Sequence, residues 1–147
     1  MEFKAISRKD CEKFCNQSHE KTSVIISIKS PWDKEDPKVF CSDKNNVKDI
    51  LFLAFGDVEA EEINHVPLRE TCITFNDAKK IARFADKWHD KVDMIIVHCD
   101  GGVSRSAGVC AAIMQVFEGS GWKMWKNRNK SPNMTCFLRV LKAFNYV

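Results

Sequence analysis

The chain has 147 residues, 44% hydrophobic and 29% charged, with a formal net charge of +3. That length suits one domain with enough buried surface to fold without disulfides or metal. The mild positive charge falls far short of the basic excess of a nucleic-acid-binding domain, so no nucleic-acid partner is expected. No apolar run approaches the length of a membrane span, and the opening MEFKAISRKDCEKFC has no continuous apolar stretch of the secretory kind. Seven cysteines, at 11, 15, 41, 72, 99, 110 and 136, are odd in number and scattered. They fit reduced thiols in a cytoplasm better than a disulfide framework.

Short apolar runs alternate with amphipathic stretches, with no internal repeat or low-complexity tract. This predicts an α/β fold: a central, mainly parallel sheet of four to five strands flanked by helices, all in one domain spanning 1–147. Phe3 to Ile6 reads as the first strand, and Ser7-Arg8-Lys9-Asp10 as a capping box opening a helix to about Gln17. Cys11 and Cys15, four apart, share a face of that helix as semi-buried thiols. No second Cys or His pair accompanies them at zinc-site spacing. SVIISI (23–28) reads as a buried strand. SPWDKEDPKVFCSDKNN reads as a surface excursion around a short edge strand at Val39 to Cys41.

DILFLAF (49–55) is the next strand, stopped by Gly56, and an acidic, irregular stretch follows it. Thr74-Phe75-Asn76-Asp77 is a second capping box, opening a helix with Ala78, Ile81, Ala82, Ala85 and Trp88 on one stripe. MIIVH (94–98) reads as the central strand, and Ser106 to Phe117 as a buried helix ended by Gly119. In the tail, Met134, Phe137, Leu138, Leu141 and Phe144 recur at helical spacing and predict a helix covering one face of the sheet.

The chemistry concentrates between the central strand and the buried helix. Cys99 ends the strand, where open α/β sheets place their ligands. The loop DGGVS (Asp100, Gly101, Gly102, Val103, Ser104) follows, and Arg105 opens the helix. Two glycines let the backbone curl with its N–H groups inward, an anion nest to which the helix N-terminus adds positive charge. Arg105 can fork two donors onto two oxygens of a phosphate. The field that attracts an oxyanion also favours a thiolate, which an ordinary cysteine forms only in small part at neutral pH. Ser106 is placed to give its hydroxyl to the sulfur, and His98 to hold the loop through side-chain hydrogen bonds.

The string His98-Cys99-x5-Arg105-Ser106, and GVSRS within it, resembles the active-site signature of the cysteine-dependent protein tyrosine phosphatase superfamily, in particular its compact dual-specificity branch and small bacterial relatives. Pro132-Asn133 before the last helix is similar to a recurrent feature of such domains. The signature lies two-thirds along the chain, unlike that of low-molecular-weight tyrosine phosphatases, which carry it near the N-terminus. The resemblance implies a phosphate monoester hydrolase with a phosphocysteine intermediate. Phosphorylated proteins or peptides would be its substrates, and a phosphate or sulfate ion would fit the loop. No cofactor or metal is expected, because Arg105 and the loop amides supply the charge stabilisation.

The resemblance also implies a general acid upstream of the cysteine. Asp57 is the candidate, at a strand end with Gly56 beside it, although Glu59, Glu61 and Glu62 in the following insertion remain open alternatives. Residues 58–70 could form a lid. Asp77 is explained by its capping box. Asp100, inside the loop, is expected to face away from the phosphate, because a carboxylate there would repel the dianion. His65 and His89 read as surface or satisfied residues, Trp122 and Trp125 as a helix end packed on the core, and KNRNK (126–130) as a rim that would favour acidic substrates. Two other readings share the loop. One is a phosphoprotein-binding module without an acid; the other is a thiol redox or sulfurtransferase enzyme, for which Cys72 or Cys136 would be the partner thiol, since Cys110 points poorly.

Overall fold

In the computed structural model, which describes residues 1–58 and 72–147, strands β1 (Glu2–Ser7), β2 (Ser23–Lys29), β3 (Val47–Ala54) and β4 (Met94–Cys99) form an all-parallel sheet in the order β1-β4-β2-β3. Among the described residues the helices are α1 (Arg8–Cys15), α2 (Phe75–Trp88), α3 (Arg105–Glu118), α4 (Trp122–Lys126) and α5 (Met134–Ala143), with a 3-10 turn at Phe144–Tyr146. This is the α/β layering that the alternation of apolar runs and amphipathic stretches predicts. No described helix is long and apolar enough to cross a membrane.

The period of two along each strand sorts the side chains into two cores. On one face Val24, Ile26 and Ile28 of β2 and Ile95, Val97 and Cys99 of β4 pack with Ile81, Ala82 and Ala85 of α2, Val109 and Ile113 of α3, and Cys136 and Val140 of α5. On the other, Ile25, Met94 and Ile96 meet Cys11 and Cys15 of α1, with Val39 and Val47. β4 lies between β1 and β2 and is buried at all six positions, as expected of a central strand covered on both faces. Consecutive residues Cys99 and His98 therefore point to opposite faces.

Ser7 caps α1 by accepting from Asp10 N–H at 3.1 Å, and the helix ends at Cys15 rather than Gln17. Thr74 and Asp77 complete a reciprocal capping box at α2. Gly119 ends α3 in the left-handed conformation, φ 82°. Cys11 and Cys15 are fully rather than partly buried.

Two expectations are corrected. Residues 39–41 form no strand; the chain here is held by side chains instead of a ladder. The Glu12 carboxylate accepts from Lys38 N–H at 2.6 Å, and Asn45 donates to Phe40 O at 2.9 Å and to Cys15 O at 3.1 Å. The tail helix also presents another face. Thr135, Cys136, Val140 and Ala143 are its buried residues, while Met134 and Leu138 are exposed. Small side chains let α5 lie close to α3, where a Cβ on Gly108 would meet Asn133 O at 2.4 Å.

Candidate active site

The loop between β4 and α3 is tied down by its carbonyls. Asp100 O accepts from Arg8 N–H (3.3 Å), Gly102 O from Lys130 Nζ (2.6 Å), Val103 O from Ser131 N–H (2.9 Å) and Ser104 O from Asn133 N–H (2.9 Å). With the carbonyls turned outward, the amides of Gly101, Gly102, Val103 and Ser104 find no acceptor among the described residues. Amides with no partner among the described residues, beside a helix N-terminus, have the electrostatic form of an oxyanion cradle. The two glycines differ in what they contribute. Gly102 has φ +71°, and a Cβ there would lie 2.3 Å from Ile6 C and 2.4 Å from Ser7 N, so the loop packs directly on the β1–α1 junction. At Gly101 the nearest atom is Val103 Cγ2 at 3.9 Å, and a side chain would fit.

Cys99 ends β4 at the start of this loop; its Sγ lies 3.2 Å from Ser106 Oγ and accepts from Ser106 N–H at 3.5 Å. Arg105 is 5% exposed although it opens a helix. Its Nη1 donates to Phe55 O at 2.7 Å and to Ser30 Oγ at 3.1 Å, and its Nη2 to Asp100 Oδ2 at 3.1 Å; its buried Nε has no partner. A guanidinium has five N–H groups. Three are used here; Nε–H and one N–H of Nη2 have no partner among the described residues.

Asp57 follows β3, and its Oδ1 accepts from Ser104 Oγ at 2.7 Å and from Asn133 Nδ2 at 3.1 Å. The parallel sheet brings the ends of β2, β3 and β4 to one edge. A carboxylate after β3 therefore touches the loop after β4, despite their distance in sequence. Glu59, Glu61, Glu62, His65 and the rest of 59–71 lie outside the described residues.

His98 points to the opposite face. Parallel register sets it beside Ser27 of β2, and its Nε2 lies 2.6 Å from Ser27 Oγ; its Nδ1 is 3.5 Å from Cys99 O. Burial pushes its pKa down from an ordinary 6.5 to about 4, so the ring is neutral at neutral pH. The unfolded chain takes up a proton near pH 6.5 and the folded one does not until about pH 4. The stability that depends on a neutral ring is thus complete above pH 6.5 and lost as pH falls toward 4, a gap on the order of 3 kcal/mol. Urea unfolding of wild type is expected to show this loss between about pH 7.5 and 4.5, and His98→Asn a flatter profile. Equal slopes in the two proteins would remove His98 as the cause.

Of the other expected positions, some lie where the sequence predicts and others do not. Asp100 does not turn away from the cradle: its carboxylate is drawn to Arg105 Nη2 and accepts from Ser30 Oγ at 3.0 Å. Lys130 is no rim cation, since its ammonium is engaged by Ala5 O and Gly102 O. Trp125 packs edge-on to Phe137, whereas Trp122 is exposed. His89 stacks on Phe117, and Asp77 serves its cap. Cys110 is buried in α3, Cys72 accepts from Arg139 at 3.2 Å, and burial pushes the Cys136 thiol pKa far up. Ser30, Ser27, the Phe55 carbonyl and Asn133 Nδ2 carry no individual signal in the sequence. Only the Pro132-Asn133 pair points to one of them.

The order of the parallel sheet and the helices on both its faces make up a fold that solved structures of dual-specificity phosphatases share. No family model matches the chain, and no curated protein matches it in sequence. Among solved structures it is similar to human DUSP28, with a TM-score of 0.59 and 16% identity over 98% of this chain and 92% of that one. It is similar to Tk-PTP in its active form, at 0.57 and 15% over 98% and 90%. It is also similar to the human tyrosine phosphatase-like serine/threonine/tyrosine-interacting protein, at 0.59 and 17% over 86% and 78%.

Proposed function

We propose that residues 1–147 act as a single catalytic domain that hydrolyses phosphate monoesters through a phosphocysteine intermediate, with phosphotyrosine and phosphoserine or phosphothreonine in proteins as substrates. The Cys99 thiolate attacks phosphorus while the ester P–O bond breaks and Asp57 gives its proton to the departing oxygen. The loop amides and Arg105 hold the equatorial oxygens. Water then attacks phosphorus, Asp57 takes its proton, and the S–P bond breaks with the sulfur leaving as thiolate toward the Ser106 hydroxyl. The loop DGGVS carries no lysine, which favours single phosphate groups over clustered ones. A free nucleophilic thiol is best preserved in a reducing compartment, which favours the cytoplasm.

One of the similar structures is of a phosphatase-like interacting protein, so the fold by itself does not separate hydrolysis from phosphate-dependent binding. The observation that favours hydrolysis is Asp57 Oδ1, 2.7 Å from Ser104 Oγ in the loop that holds Cys99. A carboxylate at that position can protonate a leaving group, a step that a binding module does not require. The test is phosphate release from an aryl phosphate in chelator and reductant, with acid quenching to trap phosphoenzyme. Turnover with a trapped phosphocysteine supports the proposal. Oxyanion binding without turnover would replace it with the binding module.

A further inference from the structure

The cradle contains one group with no obvious reason to be there, a carboxylate directly after the nucleophile. Asp100 Oδ2 sits 3.1 Å from Arg105 Nη2 and 3.0 Å from Ser30 Oγ, and Ser30 Oγ sits 3.1 Å from Arg105 Nη1. The three side chains close a ring. Two oxygens in mutual contact, Ser30 Oγ and Asp100 Oδ2, thus span the edge between the two terminal nitrogens, and the Phe55 carbonyl takes the remaining hydrogen of Nη1. What is left is Nε–H, buried and without a partner, and one hydrogen on Nη2. In a planar guanidinium these lie on the same side edge, a ready fork for two oxygens.

Resting on the phosphatase reading, we infer that Asp100 and Ser30 are positioning residues: they clamp the end edge of Arg105 so that its Nε–Nη2 edge faces the phosphoryl group. The ring is anchored on unlike elements, with Ser30 buried just beyond β2 and Asp100 in the loop itself. A long, flexible side chain is thereby held in one rotamer before substrate arrives, which lowers the entropy lost on binding. The arrangement also has a cost. The Asp100 side chain is 45% exposed and its charge lies one guanidinium away from the dianion. Ordering and repulsion act in opposite directions, and solvent at the half-exposed carboxylate screens the repulsion more than the contact.

Substitutions separate the two effects. Asp100→Asn keeps an acceptor oxygen and drops the charge; Asp100→Ala drops both; Ser30→Ala opens the ring from the other side. Tungstate binding by calorimetry and aryl phosphate kinetics are the readouts, with thermal melts to establish folding. Asp100→Ala is expected to bind tungstate about tenfold more weakly and to lose kcat/KM by at least as much, with kcat falling as well as KM rising. Ser30→Ala should lose about threefold to fivefold, and Asp100→Asn should stay within about threefold of wild type or bind more tightly. Tungstate affinity in Asp100→Ala equal to or above wild type would overturn the inference, leaving Asp100 as an electrostatic brake. So would an Asn variant as weak as the Ala variant, since charge rather than geometry would then be at work. Wild type that binds tungstate without turnover would sink the hydrolase proposal while the binding arm still decides this one. Wild type that does not bind tungstate would end both.

Discussion

Cys99→Ser is expected to reduce aryl phosphate turnover by on the order of 10⁴-fold or more while leaving tungstate binding close to wild type. A serine hydroxyl is a far weaker nucleophile than a thiolate, and the His98 ring beside it in sequence points to the opposite face and is not placed to activate it. The cradle itself should survive. Cys99 is 2% exposed, its neighbour Ser106 Oγ can hydrogen-bond an alcohol as readily as a thiol, and the loop is held by carbonyl contacts that do not involve the sulfur. The check pairs phosphate release with calorimetry on the same preparation. Turnover retained above about one part in a hundred would mean that another group attacks phosphorus.

Asp57→Asn is expected to lower kcat about 10²- to 10³-fold for esters with poor leaving groups and very little for a dinitrophenyl ester, whose phenolate needs no proton. A general acid matters most where the leaving group is most basic, so the deficit of the variant should grow as the leaving group becomes more basic. Folding should be nearly unaffected, because the amide of the variant would retain an oxygen to accept from Ser104 Oγ and Asn133 Nδ2. A loss that is equal for all leaving groups would make Asp57 a structural tie between the loop and α5. An unchanged kcat would return the role to Glu59, Glu61 or Glu62.

The strands were readable because burial on both faces leaves continuous apolar runs, as in SVIISI and MIIVH, and because strand and helix have different periods. Where the periodicity misled, the cause was identifiable. Met134 and Leu138 share an apolar stripe with Phe137 and Leu141, yet α5 turns its small and short residues inward because Gly108 and Asn133 bring α3 and the segment before α5 into contact. Val39 to Cys41 looked like an edge strand by composition. It is not one, because Glu12 and Asn45, each outside that segment, bind the backbone at Lys38 and Phe40 instead of a neighbouring strand. A dianion alone would turn the Asp100 carboxylate outward; with Arg105 buried beside it, the nearer and permanent charge decides where the carboxylate goes.

The contiguous part of the site is legible from the order of residues alone: Cys99 at a strand end, a loop that two glycines let curl, and Arg105 and Ser106 at the start of a helix. Each depends on local backbone physics, on strand and helix termini and on the freedom of glycine, all of which act within a few residues. Packing supplies the contacts that reach the site from distant parts of the chain: Ser30 and the Phe55 carbonyl on Arg105, Ser27 on His98, and Ser104 and Asn133 on Asp57. Those contacts depend on sheet order and parallel register, which place the ends of β2, β3 and β4 along one edge. A hydrogen bond is made or lost within a fraction of an ångström, and over tens of residues only the packed core sets distances that finely.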